Sequence, residues 1–295
     1  MSEVASSDIR PNLSVSYQRL SLDDQIVVHY RALELRTLGL AYSQILTRLV
    51  CELGARVSKS TLSYWVRGMH EPLGRAYDFK PEPTEELAYL VGVQKGDGSL
   101  NVNRETYNYR IRLQSIDPEF VEEFDRCLSR IIDSPRHATW SGAGRKEIHV
   151  VGCSFLLHQF LSQPFEKLKP YIEHCSDCVH AFLRGFFDSE DSISKSGSIS
   201  ASNCDKELLE YLQSLLLDYD GIFTTGPSLQ SRRGTKMTVR GRAYVRNCDC
   251  YVIRMGRRFG RTFLVNIGVT ISRKRIRLVE SLSPEERHAN RPSPR

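Results

Sequence analysis

Residues 90–98 read Leu-Val-Gly-Val-Gln-Lys-Gly-Asp-Gly, and residues 183–191 read Leu-Arg-Gly-Phe-Phe-Asp-Ser-Glu-Asp. Each is an apolar, helix-like run with a small residue at its third and seventh positions and a carboxylate at its eighth. The small residues are Gly92 and Gly96 in the first copy, Gly185 and Ser189 in the second; the carboxylates are Asp97 and Glu190. Small residues four apart make a flat stripe on a helix and let two backbones approach closely. Packing one stripe on the other would bring Asp97 and Glu190 side by side at the foot of both helices. A helix C-terminus already carries partial negative charge, so two carboxylates there need a cation, and a hard divalent metal is the simple remedy.

The repeat extends outward from these runs. The two carboxylates are 93 positions apart. After the first, Ser99–Asn103 and Tyr109–Ser115 read as strands, and a capped amphipathic helix follows from Asp117. After the second, Ser192–Lys195 and Ser198–Asn203 read as strands, and a helix follows from Asp205. Asp117 and Asp205 fall in equivalent places and are predicted to be helix N-caps. Val150–Phe155 and Arg254–Phe259 each end a strand and open another helix. The order in each half is helix, strand, strand, helix, strand, strand, helix.

With EELAY before the first and CVHAF before the second, the runs LVGVQKGDG and LRGFFDSED resemble the two motifs of a single-chain LAGLIDADG homing endonuclease. The resemblance covers about residues 85–280. It implies an α+β fold of two pseudo-symmetric α-β-β-α-β-β-α halves, residues 85–170 and 171–285, that form a saddle over double-stranded DNA. It implies a monomer that recognises a long asymmetric site and hydrolyses phosphodiesters of both strands. Asp97 and Glu190 would bind Mg²⁺ or Mn²⁺, whose charge offsets that of the transition state and acidifies bound water. Members of the family also tend to carry a basic residue near the strand end before the last helix of each half. The matching positions are Ser154 and Arg258. Arg258 is too basic to take a proton and would act electrostatically; the first half has lost even that, with Lys146 or Lys195 as a substitute. Asp191 stands where the motif usually ends in Gly, at a position expected to need a left-handed backbone.

An antiparallel sheet covered by helices on one face leaves the other free. In the first half that face would carry Asn101, Asn103, Arg110, Arg112 and Gln114. In the second it would carry Ser198, Ser200 and Ser202, then the alternating run Thr238, Arg240, Arg242, Tyr244, Arg246, with Lys195, Arg232 and Arg233 alongside. Such residues read base edges in a major groove and hold phosphates. Arg273, Lys274, Arg275 and Arg277 on the last helix would hold phosphates. The net charge of +6 conceals an asymmetry: residues 228–279 hold 14 Lys or Arg and a single acid, leaving 27 basic and 34 acidic residues elsewhere. A polyanion would dock on the basic segment.

The chain is predicted to begin with a mobile tail, residues 1–20. Residues 21–68 form a helical unit resembling a helix-turn-helix domain, with Ser58 as N-cap and Lys59, Ser60 and Arg67 on the recognition helix. Residues 69–84 are a proline-containing linker, and 286–295 a second tail. No run of about 18 apolar residues and no signal peptide is visible, so an intracellular protein, in cytoplasm, nucleoid or an organelle, is expected. Neither end shows a protein-splicing signal, so an intein is not expected. Eight cysteines in such a chain read as free thiols, although Cys175 and Cys178 with Cys248 and Cys250 could be imagined as a zinc site. The alternatives to a nuclease are a DNA-binding regulator that keeps the fold without the chemistry, and an RNA-splicing maturase.

Overall fold

The computed structural model describes residues 14–69, 71–72, 79–103, 108–132, 137–140, 147–194, 196–239 and 242–282. Lys146, Lys195, Arg240 and the 286–295 tail lie outside the described residues. The chain divides into two compact units, one of residues 1–77 with 102–108 and 154–156, the other of the remainder.

The N-terminal unit is a helical cluster. Strand β1 (Val15–Ser16) precedes α1 (Leu22–Thr37), whose first turn is capped by Ser21 Oγ accepting from the Asp24 amide. Helix α2 (Tyr42–Leu53) ends on Gly54, which holds φ at 64°, in the left-handed region that glycine enters freely. Strand β2 (Ala55–Arg56) pairs in parallel with β1, and α3 (Lys59–Val66) follows, capped by Ser58 Oγ accepting from the Thr61 amide at 3.0 Å. Val28, Ala32, Leu35, Ile45, Leu49, Leu62 and Trp65 fill its core. Tyr17 joins them, its ring edge-on to Trp65 at 4.9 Å. Residues 14–20 are therefore part of this unit and not of a tail, because the parallel pair with β2 and the buried Tyr17 ring anchor them.

The larger unit repeats one plan twice. Helix α4 (Glu85–Lys95) starts at Thr84, whose hydroxyl accepts from the Leu87 amide. Then come β3 (Ser99–Asn103), β4 (Asn108–Ser115), α5 (Pro118–Ile131), β5 (His137–Trp140), β6 (Ile148–Cys153), α6 (Phe155–Leu161) and α7 (Lys169–Ile172). The sheet runs β3-β4-β6-β5. Helix α5 buries Phe120, Val121, Phe124, Cys127 and Leu128, an apolar stripe at helical spacing. In β4, Ile111 and Leu113 are buried while Arg110 and Gln114 are exposed, so the period of two separates a core face from an outer one.

The second copy opens with α8 (Ser176–Glu190), followed by β7 (Asp191–Ile193), β8 (Ile199–Asn203), α9 (Lys206–Asp220), β9 (Thr224–Ser231), β10 (Lys236–Val239), β11 (Arg242–Val245), β12 (Cys250–Met255), α10 (Gly260–Thr262) and α11 (Ser272–Leu282). Its sheet runs β7-β8-β12-β9, the same order of first, second, fourth and third strand. The alternating run from Thr238 to Arg246 is not the third strand of this sheet, contrary to expectation. It forms β10 and β11, an antiparallel pair on their own, and the third strand is the polar β9. Alternation identified an extended segment but not its partner; β9, with few apolar residues, serves as an edge strand and so needs little burial.

Two local expectations are also corrected. Asp205 Oδ1 accepts from the Leu208 amide and caps α9; Asp117 holds the N-cap position of α5 as expected, but its carboxylate makes no cap hydrogen bond and takes Arg273 in a bidentate pair, both contacts 2.7 Å. The cysteines are not all free. Cys204, just after β8, and Cys248, just before β12, form a disulfide, because the antiparallel register that pairs Asn203 with Tyr251 brings them together. Among the described residues, no helix is long and apolar enough to cross a membrane.

Candidate metal centre and nucleic-acid face

The two glycine stripes interlock. A Cβ on Gly92 would collide with the Phe182 carbonyl and stand 3.0 Å from the Phe186 amide nitrogen. Reciprocally, one on Gly185 would collide with the Tyr89 carbonyl. One turn further on, a Cβ at Gly96 would strike Ser189 and stand 3.1 Å from Glu190 Cγ. Helices α4 and α8 thus meet backbone to backbone down to their C-terminal turns. Asp97 lies just past α4 and Glu190 is the last residue of α8, near enough for the Asp97 charge to act on Glu190.

Their electrostatics follow from that placement. Desolvation raises the Asp97 carboxyl above its ordinary value, with Lys274 opposing. Glu190 is pushed up to about 7, first by desolvation and then by the charge on Asp97, again opposed by Lys274. Two carboxyl groups that resist ionising together are a donor set suited to a hard divalent cation.

Lys274 is the functional residue the sequence reading misplaced. It was expected to hold phosphates, but only 7% of it is exposed, and its ammonium donates to the Phe187 and Asp188 carbonyls at 3.1 and 2.8 Å. These are C-terminal carbonyls of α8, left without partners inside the helix. The corresponding end of α4 is held from the opposite half, where Asn203 Nδ2 donates to the Lys95 carbonyl at 3.3 Å. A sequence signal for Lys274 existed: it lies three residues after Ile271 and four before Leu278, both buried, so it occupies the core stripe of α11.

Asp188 also escaped notice. Only 1% exposed, it accepts from Tyr89 Oη at 3.0 Å and from the Thr270 amide at 2.7 Å, joining α4, α8 and the segment before α11. Burial raises its carboxyl, and the Thr270 and Tyr89 hydrogen bonds pull against that. With Asp97, Gln114, Ser115, Glu147, Ser189, Arg273 and Lys274 it lines a pocket of about 480 Å³.

The remaining predicted residues fall in several places. On the first sheet, Arg110 is exposed and Asn101 Nδ2 donates to Ser99 Oγ. Arg112 donates to Gln114 Oε1 and His149 Nδ1, and Gln114 donates to Glu147. Asn103 ends β3, half-buried. In the second half, Ser198 Oγ donates to the Met255 carbonyl and Ser200 Oγ to the Ser192 carbonyl. Arg232 and Arg233 are exposed in the turn after β9, Arg242 starts β11, and Arg246 follows it. Lys59, Ser60 and Arg67 are exposed along α3 and at its end, while Leu62 and Trp65 face inward.

Arg258 is not brought to the acid pair. It lies over the Phe259 ring at 4.6 Å and lines a different pocket, with Ser198, Phe223 and Arg254. Its counterpart Ser154 is buried. Arg273 is committed to Asp117, and Arg277 donates to the Ile193 carbonyl. Nor does the end of the motif need a left-handed residue. Gly98 is not among the glycines with positive φ, but a Cβ there would meet Gln94 Cα at 2.7 Å. Asp191 begins β7 in extended backbone, paired with Ala201.

A family model described as a LAGLIDADG-like domain matches residues 177–268. The chain belongs to the LAGLIDADG family. Its relatives include uncharacterized protein MJ0398 of Methanocaldococcus jannaschii, 30% identical over 276 residues that span 93% of this chain and all of that one. Among solved structures, I-DmoI in complex with DNA and Mn is 17% identical, covering 63% of this chain and 98% of that chain at a TM-score of 0.47. Full-length DUF199/WhiA from Thermatoga maritima is 15% identical, covering 68% and 61%, at 0.43.

Proposed function

We propose that this chain is a metal-dependent, sequence-specific DNA endonuclease. The observation that carries the reading is the acid pair. An exposed carboxylate, Asp97, and a half-buried one, Glu190, come one from each pseudo-symmetric half, where interlocked glycine stripes force two helix ends together. Asp97 and Glu190 would hold Mg²⁺ or Mn²⁺. Such an ion, when bound, acidifies a water and offsets charge on a scissile phosphate. Lys274 contributes a fixed positive charge beside both acids and clamps the α8 end that presents Glu190. The outer face of the first sheet, with Arg110, Arg112, Gln114 and Asn101, would lie in a DNA groove. The hydrogen bonds among Arg112, Gln114 and Glu147 would preset those side chains. The β10–β11 pair, with Arg242 and Arg246 after it, would reach the backbone as a ribbon. Helix α3, with Lys59, Ser60 and Arg67, would add a helix-turn-helix contact. Because both motif helices sit in one chain, a monomer suffices.

The regulator reading draws support from one specific observation. Among the described residues, neither strand-end position supplies a basic side chain to the acids, since Ser154 is buried and Arg258 lines another pocket. The test is incubation of the pure chain with a plasmid library and Mg²⁺ or Mn²⁺, with Asp97→Asn and Glu190→Gln run alongside. Cleavage by wild type alone, with DNA binding retained by both variants, supports the nuclease. Tight binding to a defined site with no metal-dependent cleavage by wild type replaces it with the regulator.

A further inference from the structure

At its other end, α8 carries a second constellation that the nuclease reading does not use. His174 and Cys175 lie between α7 and α8, and Cys178 lies in the first turn of α8. Their ligand atoms, one imidazole nitrogen and two sulfurs, all lie within 4.8 Å of one another. Two thiolates on one tetrahedral Zn²⁺ with bonds of about 2.3 Å stand roughly 3.8 Å apart, so the three side chains need little adjustment to share an ion.

We propose that His174, Cys175 and Cys178 form a binding site for a borderline-soft divalent cation of the Zn²⁺ class. Water completes the fourth position, as in three-ligand zinc sites. The Cys178 amide donates to Cys175 Sγ at 3.4 Å, which fixes that sulfur beside the first turn of α8. Metal entry displaces the thiol protons to solvent.

The site is separate from the acid pair. Cys178 and Glu190 are twelve positions apart on α8, about 18 Å along the axis. Ligand chemistry separates the two sites as well, carboxylates for a hard ion at one end and thiolates with imidazole for a softer one at the other. Nor does the nearby His180 join in, because it pairs with Asp220 at 3.2 Å. Cys248, once a conceivable fourth ligand, is in the disulfide with Cys204. A cation on this triad ties the α7–α8 turn to the first turn of the second motif helix, where the two halves of the repeat join.

The test is a metal titration of the full chain, stripped of metal and treated with a mild reductant that spares the disulfide. Co²⁺ is the optical probe and Zn²⁺ the competitor. Wild type should take up one equivalent of Co²⁺ with a thiolate-to-cobalt charge-transfer band that Zn²⁺ abolishes. Cys175→Ser should lose most of the band, and His174→Ala should weaken binding by roughly tenfold or more, at least the cost of losing an outer-shell partner. Both positions are at the surface, so these variants test the site without touching the core. Cys51→Ser, an exposed thiol of the N-terminal unit, and Asp97→Asn should both keep the band. Absence of the band in reduced wild type overturns the proposal, as does its survival in Cys175→Ser. Because no DNA is involved, a failure here is distinguishable from a failure of the nuclease reading.

Discussion

Replacing Gly92 by Ala adds a single methyl group at the tightest point between α4 and α8. On an isolated helix this change is favourable by up to about 1 kcal/mol, because Ala loses less backbone freedom than Gly. Here the methyl would collide with the Phe182 carbonyl and stand 3.0 Å from the Phe186 amide nitrogen. Both neighbours are main-chain atoms of a helix buried by Phe182, Leu183, Phe186 and Phe187, so no rotamer change relieves the overlap. The helices must separate, and overpacking of that kind costs about 1–3 kcal/mol. Net of the propensity gain, Gly92→Ala should be destabilised by about 1–2 kcal/mol. Urea denaturation followed by far-UV circular dichroism measures this, with Gly256→Ala as control. Gly256 has φ −70° and nothing within 4 Å of its would-be Cβ, so the control should match wild type within about 0.5 kcal/mol. Should Gly92→Ala prove as stable as wild type or more so, the glycine stripe does not govern how the halves meet.

Three further outcomes are expected. A Glu190 carboxyl raised from 4.5 to about 7 binds its proton more tightly in the folded chain than in the unfolded one, so it erodes stability as pH climbs through that window. Without divalent metal, Glu190→Gln should therefore gain about 1–3 kcal/mol over wild type at pH 8 and nothing at pH 4; an equal gap at both values contradicts this. Lys274→Met leaves the Phe187 and Asp188 carbonyls unpaired and should cost about 1–3 kcal/mol by denaturation, whereas a neutral effect would remove Lys274 from the clamp. Removing residues 1–77 leaves Phe79 against Phe160, 5.4 Å between ring centroids, and should yield a folded core by circular dichroism; aggregation of that fragment would make the N-terminal unit integral to it.

The parts legible in the sequence were those set by local periodicity. The motif helices, the acid pair at their feet, and the alternation that exposes Arg110 and Gln114 beside buried Ile111 and Leu113 all follow from spacing alone. What escaped depends on partners remote in the chain. Asp117 looks like a cap until Arg273, 156 positions later, offers a bidentate partner. Lys274 looks like one cation among four until the C-terminal carbonyls of α8 take its ammonium. The Thr238–Arg246 alternation carries no information about which strand it pairs with, so the run was placed on the face of the second sheet, whereas β10 and β11 pair with each other. Arg258 was carried over by position in a motif, and the fold sends it to a different pocket.

The collision at Gly92 and that at Gly185 share one property: the obstructing atom belongs to a peptide carbonyl, common to all residue types. A larger side chain at either glycine therefore cannot be rescued by trimming the residue it strikes, as an overfilled side-chain core often can. Compensation across this seam is closed at the level of single codons. Exposed positions such as Asn101, Arg110, Arg232 and Arg233 carry no such restriction. Side-chain change is thus tolerated on the outer surfaces and resisted at the seam where α4 and α8 meet.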